Sequence, residues 1–192
     1  MKEKISAILL IILFSMSSYG QTQDSIPYRE LPDYPENYSA GSMASRMIDG
    51  LGFRFYWATE GLREEDLAFR PNEASRSTDE TIDHILSMIH GITKNLSKFD
   101  KPELANFTFE EKRAHILVEL KTISYILLNS TDEDFKSYNI KLGSGEELPF
   151  WHYVNGQIAD CIWHCGQIAS FRRMSGNPFS SEVNLFRGTV ND

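Results

Sequence analysis

The chain has 192 residues, a formal net charge of −8 and 41% hydrophobic residues, enough for one domain with its own core and the wrong sign for a nucleic-acid binder. No basic patch interrupts the acidic balance, so the expected partners are a small-molecule substrate, a metal ion or a second copy of the chain in a homodimer. Its two cysteines, Cys161 and Cys165, exclude a disulfide-stapled scaffold: at i, i+4 on a helix their Cβ atoms stand about 5–6 Å apart, against about 3.5–4.5 Å in a disulfide, so two free buried thiols are expected.

Met1 to Gly20 reads as a secretory signal peptide, with Lys2 and Lys4, an apolar run from Ile5 to Phe14, and Ser18-Tyr19-Gly20 as a small-x-small cleavage site. The run is too short for a stable anchor. The mature chain is therefore expected to be exported, periplasmic or extracellular, free of the membrane and one charge more negative. Residues 21–38, rich in Gln, Asp, Pro and Tyr, are expected to form an exposed, irregular lead-in.

The first helix is predicted from about Ser39 to about Glu60. Ala44, Met47, Ile48, Leu51, Phe55, Ala58 and Leu62 recur at i, i+3, i+4 spacing, while Gly50 and Gly52 weaken its propensity. The aromatic cluster Phe53, Phe55, Tyr56 and Trp57 reads as core. Gly61 to Ser77 is expected to be a loop around Pro71. Ser77 and Glu80 form a capping box that opens a second helix, from about Thr78 to about Lys98, with Ile82, Ile85, Met88, Ile89, Ile92 and Leu96 on its apolar face. His84 lies at the edge of that face, and His90 is placed on the polar side as a solvated residue. Past Pro102, Thr108 and Glu111 form another capping box, and Ile116, Leu117, Leu120, Ile123 and Leu127 define a third helix to near Asn129. His115 lies off its buried face and is given no role. Residues 130–148, acidic and glycine-containing, form a long crossover that lets the last helix pack beside a non-sequential neighbour. Residues 179–192 are a tail in which Val183, Leu185 and Phe186 fold back onto the bundle or a partner subunit. The expected architecture is all-α: a four-helix bundle, residues 39–178, with a long crossover before the last helix.

That last helix is predicted to run unbroken from Pro149 to Pro178. At 100° per residue, Val154, Ile158, Cys161, Ile162 and Cys165 gather on one side, and Ala159 and Trp163 cover much of another. A helix so apolar is expected in the middle of a bundle. Yet Gln157, Asp160, His164 and Gln167 fall within about 80° of arc, a polar strip that needs partners when buried. Asp160 and His164, spaced i, i+4, reach the same point in space. One helix offers a metal two ligands in this way, and a hydrogen-bonded core pair has the same spacing.

Three stretches together, GLREEDLAFRP, then ETIDHI, then WHCGQIASFRRMSGNP, resemble the DinB/YfiT-like metalloprotein superfamily over about Ser39 to Pro178. The resemblance implies a four-helix bundle, often dimeric, with a divalent metal held by three histidines, one from the second helix and two spaced i, i+4 on the last. It carries the second-helix ligand onto His84 and the final ligand onto His164. The remaining family histidine falls on Asp160. That departure either keeps the site as a two-histidine, one-carboxylate set or marks a site that has lost its metal. Zinc, nickel, iron and manganese all remain open. Gln157 and Gln167 are candidates for orienting the ligands, and His152 for a supporting or substrate contact. The implied activity is that of a metal-dependent enzyme on a small molecule, hydrolytic or thiol-transferring; export weighs against low-molecular-weight thiols, which are mainly intracellular. The competing expectation is a non-catalytic exported bundle that binds metal or ligand through a degenerate site.

Overall fold

The computed structural model describes residues 26–97 and 106–191. The leader expected over 1–20, Lys98 and Pro102 lie outside these residues. The described chain is mostly helical. Four long helices carry it: α1 (Ala40–Thr59), α3 (Thr78–Ser97), α4 (Phe109–Leu128) and α6 (Ala159–Met174). Between them come two short helices, α2 (Glu64–Ala68) and α5 (Asp132–Ser137), and a hairpin of β1 (Ile140–Lys141) with β2 (Glu147–Leu148). A second hairpin, β3 (Val183–Asn184) with β4 (Thr189–Val190), follows α6. No helix among the described residues is long and apolar enough to cross a membrane.

The helix starts lie where the caps put them. Ser77 N–H donates to Glu80 Oε2 at 2.7 Å and Glu80 N–H returns to Ser77 Oγ at 3.2 Å; Thr108 and Glu111 do the same at α4, at 2.8 and 3.3 Å. Each box satisfies amide donors that the first helical turn leaves open. The apolar stripes then meet. Ile82, Ile85, Ile89 and Ile92 of α3 and Ile116, Leu117, Leu120, Ile123 and Leu127 of α4 are fully buried, with Phe53 and Phe55 of α1.

Helices α1 and α3 each pack against both α4 and α6, so the last helix lies beside the first two long helices rather than its chain predecessor. Directions follow from the contacts. Ser45 meets Ser124 while Thr59 meets Arg113, so α1 and α4 are antiparallel. Lys112 pairs with Asp83 and Glu119 lies by His90, so α3 and α4 run parallel. Asn95 bonds Tyr153 while His84 faces Asp160, so α3 and the last helix are antiparallel. The order is up-down-down-up.

Several local expectations need correction. The last helix is not continuous: residues Tyr153–Ile158 form a wide π-helical turn, with Gly156 at φ −103° and ψ −107°. Nor is it central, since Trp151 and Trp163 are 75% and 71% exposed. The loop after α1 contains α2, and the crossover contains α5 and the first hairpin. The lead-in is anchored from Ile26 onward. Tyr28 is buried, its hydroxyl donates to Asp49 Oδ1 at 2.9 Å, and Ser124 donates to the same oxygen at 2.7 Å. Gly52, a weakness for the helix by itself, is what admits the Tyr28 ring: a Cβ there would lie 2.4 Å from Cδ2 of Tyr28. The tail folds back onto this lead-in, with Leu31 N–H donating to Gly188 O at 2.8 Å.

The first and last of the three sequence stretches meet at one end of the bundle. Buried Asp66, from GLREEDLAFRP, accepts two bonds from the Arg63 guanidinium at 2.9 Å, and one each at 2.6 Å from the Ser175 hydroxyl and the Asn177 amide. Arg172, also buried, donates to Trp57 O at 2.9 Å and Ala58 O at 3.2 Å, satisfying carbonyls at the C-terminus of α1. Gly176, at φ +82°, closes α6: Asn177 N–H returns to Arg172 O and Gly176 N–H to Arg173 O, a Schellman ending.

Candidate metal centre

The residues of α3 that face the core fix where His84 goes. With Ile82, Ile85 and Ile89 inward, His84 turns to the seam with α6, its side chain 33% exposed. On α6, Cys161, Cys165 and Ile168 point into the core, which turns Asp160, His164 and Gln167 toward that seam. His84 and His164 meet edge to face, ring centroids 4.9 Å apart at 80°.

Asp160 Oδ2 stands 3.4 Å from His164 Nε2 and 3.6 Å from His84 Nε2. Both distances are long for a hydrogen bond. They suit a different arrangement: two donors each about 2.1 Å from one ion, at a tetrahedral angle, stand about 3.4 Å apart. The three residues each offer a ligand atom, all within 4.8 Å of one another, and the group could hold a metal ion.

The environment suits that chemistry. His164 Nδ1 lies 2.6 Å from Gln167 Oε1. An amide oxygen can only accept, so the proton sits on Nδ1 and the Nε2 lone pair faces the centre. Burial lowers the pKa of His84, with the positive charge of Arg76 adding to the effect and Asp160 opposing it; neutral imidazole is the ligating form. Asp160 keeps 46% of its side chain exposed, so the group opens to solvent on the carboxylate side. The free thiols are buried behind it. Burial raises both, Cys165 to about 12, leaving them protonated and poor nucleophiles.

Of the supporting residues named from the sequence, Gln167 touches a member of the group. Gln157 is half-buried inside the wide turn and His152 is exposed at its start; neither hydrogen-bonds to the three side chains among the described residues. The 100° projection that aligned Gln157 with Asp160 assumes α-helical geometry, which the turn does not keep. A cavity of about 580 Å³ lies elsewhere, between the start of α1, α5 and Phe150 to Val154, and none of the three residues lines it.

Sequence reasoning missed a second group. His90, expected in solvent, and His115, given no role, converge on Glu119, with ligand atoms again within 4.8 Å. The available signal was the i, i+4 pair His115 and Glu119 at the margin of an apolar stripe. No known protein family, curated protein or solved structure matches the chain.

Proposed function

We propose that this is an exported divalent-metal protein of the DinB/YfiT-like kind, and that the His84, Asp160 and His164 group is the centre of a metal-dependent enzyme acting on a small molecule. The observation that carries the reading is the spacing of the three ligand atoms, wider than ordinary hydrogen bonds and suited to one shared ion. Two imidazoles and a carboxylate suit zinc, nickel, iron or manganese. A divalent ion held there supplies Lewis acidity toward a substrate oxygen.

The chain's own residues prepare the site. Gln167 fixes the His164 tautomer and ring orientation. Burial favours the neutral form of His84. Asp160 contributes negative charge on the side open to solvent, where a substrate would enter. With both cysteine thiols held protonated in the core, hydrolysis or transfer to an external thiol fits better than covalent catalysis through Cys161 or Cys165.

A second reading is a non-catalytic exported binder of metal or ligand. It draws on the shallow, half-exposed Asp160 and on a cavity of about 580 Å³ that none of the three residues lines. The two are separated by assaying metal-free and metal-reloaded protein, purified without an affinity tag, against panels of esters, amides and thiol acceptors. The enzyme reading expects turnover only in the reloaded protein, and none in His164→Ala, which should lose the metal of this group and keep its helical circular dichroism. Metal bound without turnover favours the binder. Failure of this group to retain or take up metal overturns the enzyme reading and the metal-binding form of the second.

A further inference from the structure

We propose a second divalent-metal site, at His90, His115 and Glu119, which staples α3 to α4. Its construction repeats that of the first group: two ligands spaced i, i+4 on one helix and a histidine from α3. His84 and His90 are six residues apart on α3, about 240° around the helix, so one faces α6 and the other α4.

The distances make the case. His90 Nδ1 and His115 Nε2 each stand 3.4 Å from the same atom, Glu119 Oε1. The first is at most a weak, long hydrogen bond, and both separations are those of two donors sharing an ion. All three ligand atoms lie within 4.8 Å of one another. The setting is more enclosed than the first group on the carboxylate side. Glu119 is 5% exposed against 46% for Asp160, and Phe107 packs edge-on to the His115 ring at 5.5 Å. Closed sites hold metal for structure, and open ones leave room for substrate. Imidazole with carboxylate selects a zinc-like transition ion rather than calcium or magnesium, which take oxygen ligands. The site would tie together two parallel helices that ion pairs from Lys112 to Asp79 and Asp83 already join toward their N-terminal ends.

Zinc stoichiometry, measured by equilibrium dialysis and elemental analysis on the tag-free full chain, tests this independently of the first centre. The expected result is two zinc ions per chain, falling to one in His164→Ala and to one in His90→Ala. If the first centre fails and this one holds, the unmutated chain and His164→Ala both bind one and His90→Ala binds none. The proposal is overturned if His164→Ala binds none, or if His90→Ala and Glu119→Gln bind as much zinc, with the same affinity, as the unmutated chain. Should those variants misfold, ring NMR of the unmutated protein during zinc titration decides: His90 and His115 resonances shift on this account, and an unchanged pair overturns it.

Discussion

Gln167 accepts the Nδ1 proton of His164 at 2.6 Å, and that contact separates two kinds of loss. A ligand removed abolishes binding; a partner removed loosens the ligand. Gln167→Leu is therefore expected to weaken metal binding about 10–100-fold while sparing the fold, as read by competition with a chelating dye; an unchanged affinity would mean the ring is held by packing alone. Asp66 gives the clearest pH dependence. Its bonds from Arg63, then from Ser175 and Asn177, hold its carboxyl well below the usual carboxylate range despite burial. A depressed folded-state pKa means the stabilisation is fully present above about pH 4, the unfolded value, and is lost as pH falls toward the folded one. Asp66→Asn should cost about 2–3 kcal/mol at pH 7 and about 1 kcal/mol less at pH 3, roughly one unit below the unfolded value, measured by urea unfolding; an equal cost at both would contradict the assignment. At this scale the legible residues were those whose spacing or resemblance carried information: Asp160 and His164 by i, i+4, and His84 by resemblance. Glu119 was illegible because a lone acid at the margin of an apolar stripe looks solvated until a neighbouring helix covers it.

The long helices were legible because each signal agreed with the others. Ser77 with Glu80 and Thr108 with Glu111 marked starts, and the isoleucine and leucine stripes of α3 and α4 marked the buried faces. The short elements carried too few residues for a period, so α2, α5 and the two hairpins read as connection. The wide turn at Tyr153–Ile158 was hidden for another reason: its apolar pattern is compatible with an unbroken helix, and only Gly156, in a backbone conformation outside the helical region, betrays it. The α1–α6 junction carries the prediction at this scale. Arg172 spends its guanidinium on Trp57 O, Ala58 O and Asn177 O, so Arg172→Met keeps bulk but strands carbonyls at the end of α1. A loss of about 2–4 kcal/mol is expected, read from the urea midpoint; a change below about 0.5 kcal/mol, the range of an ordinary surface substitution, would show that the carbonyls find other donors.

In the whole molecule, the up-down-down-up order places α3 between α4 and α6, so one helix presents His84 to one neighbour and His90 to the other. The antiparallel α3–α6 seam brings a histidine near the start of one helix to an i, i+4 pair near the start of the other. This arrangement turns a residue pattern into a group that could hold a metal ion, and neither helix could form it alone. The most direct test is anomalous scattering from crystals of the tag-free chain grown with zinc. The account predicts a peak in contact with Nε2 of His84, Oδ2 of Asp160 and Nε2 of His164. Zinc-replete crystals with no peak there, or with the His84 ring turned away from the other two, would contradict it.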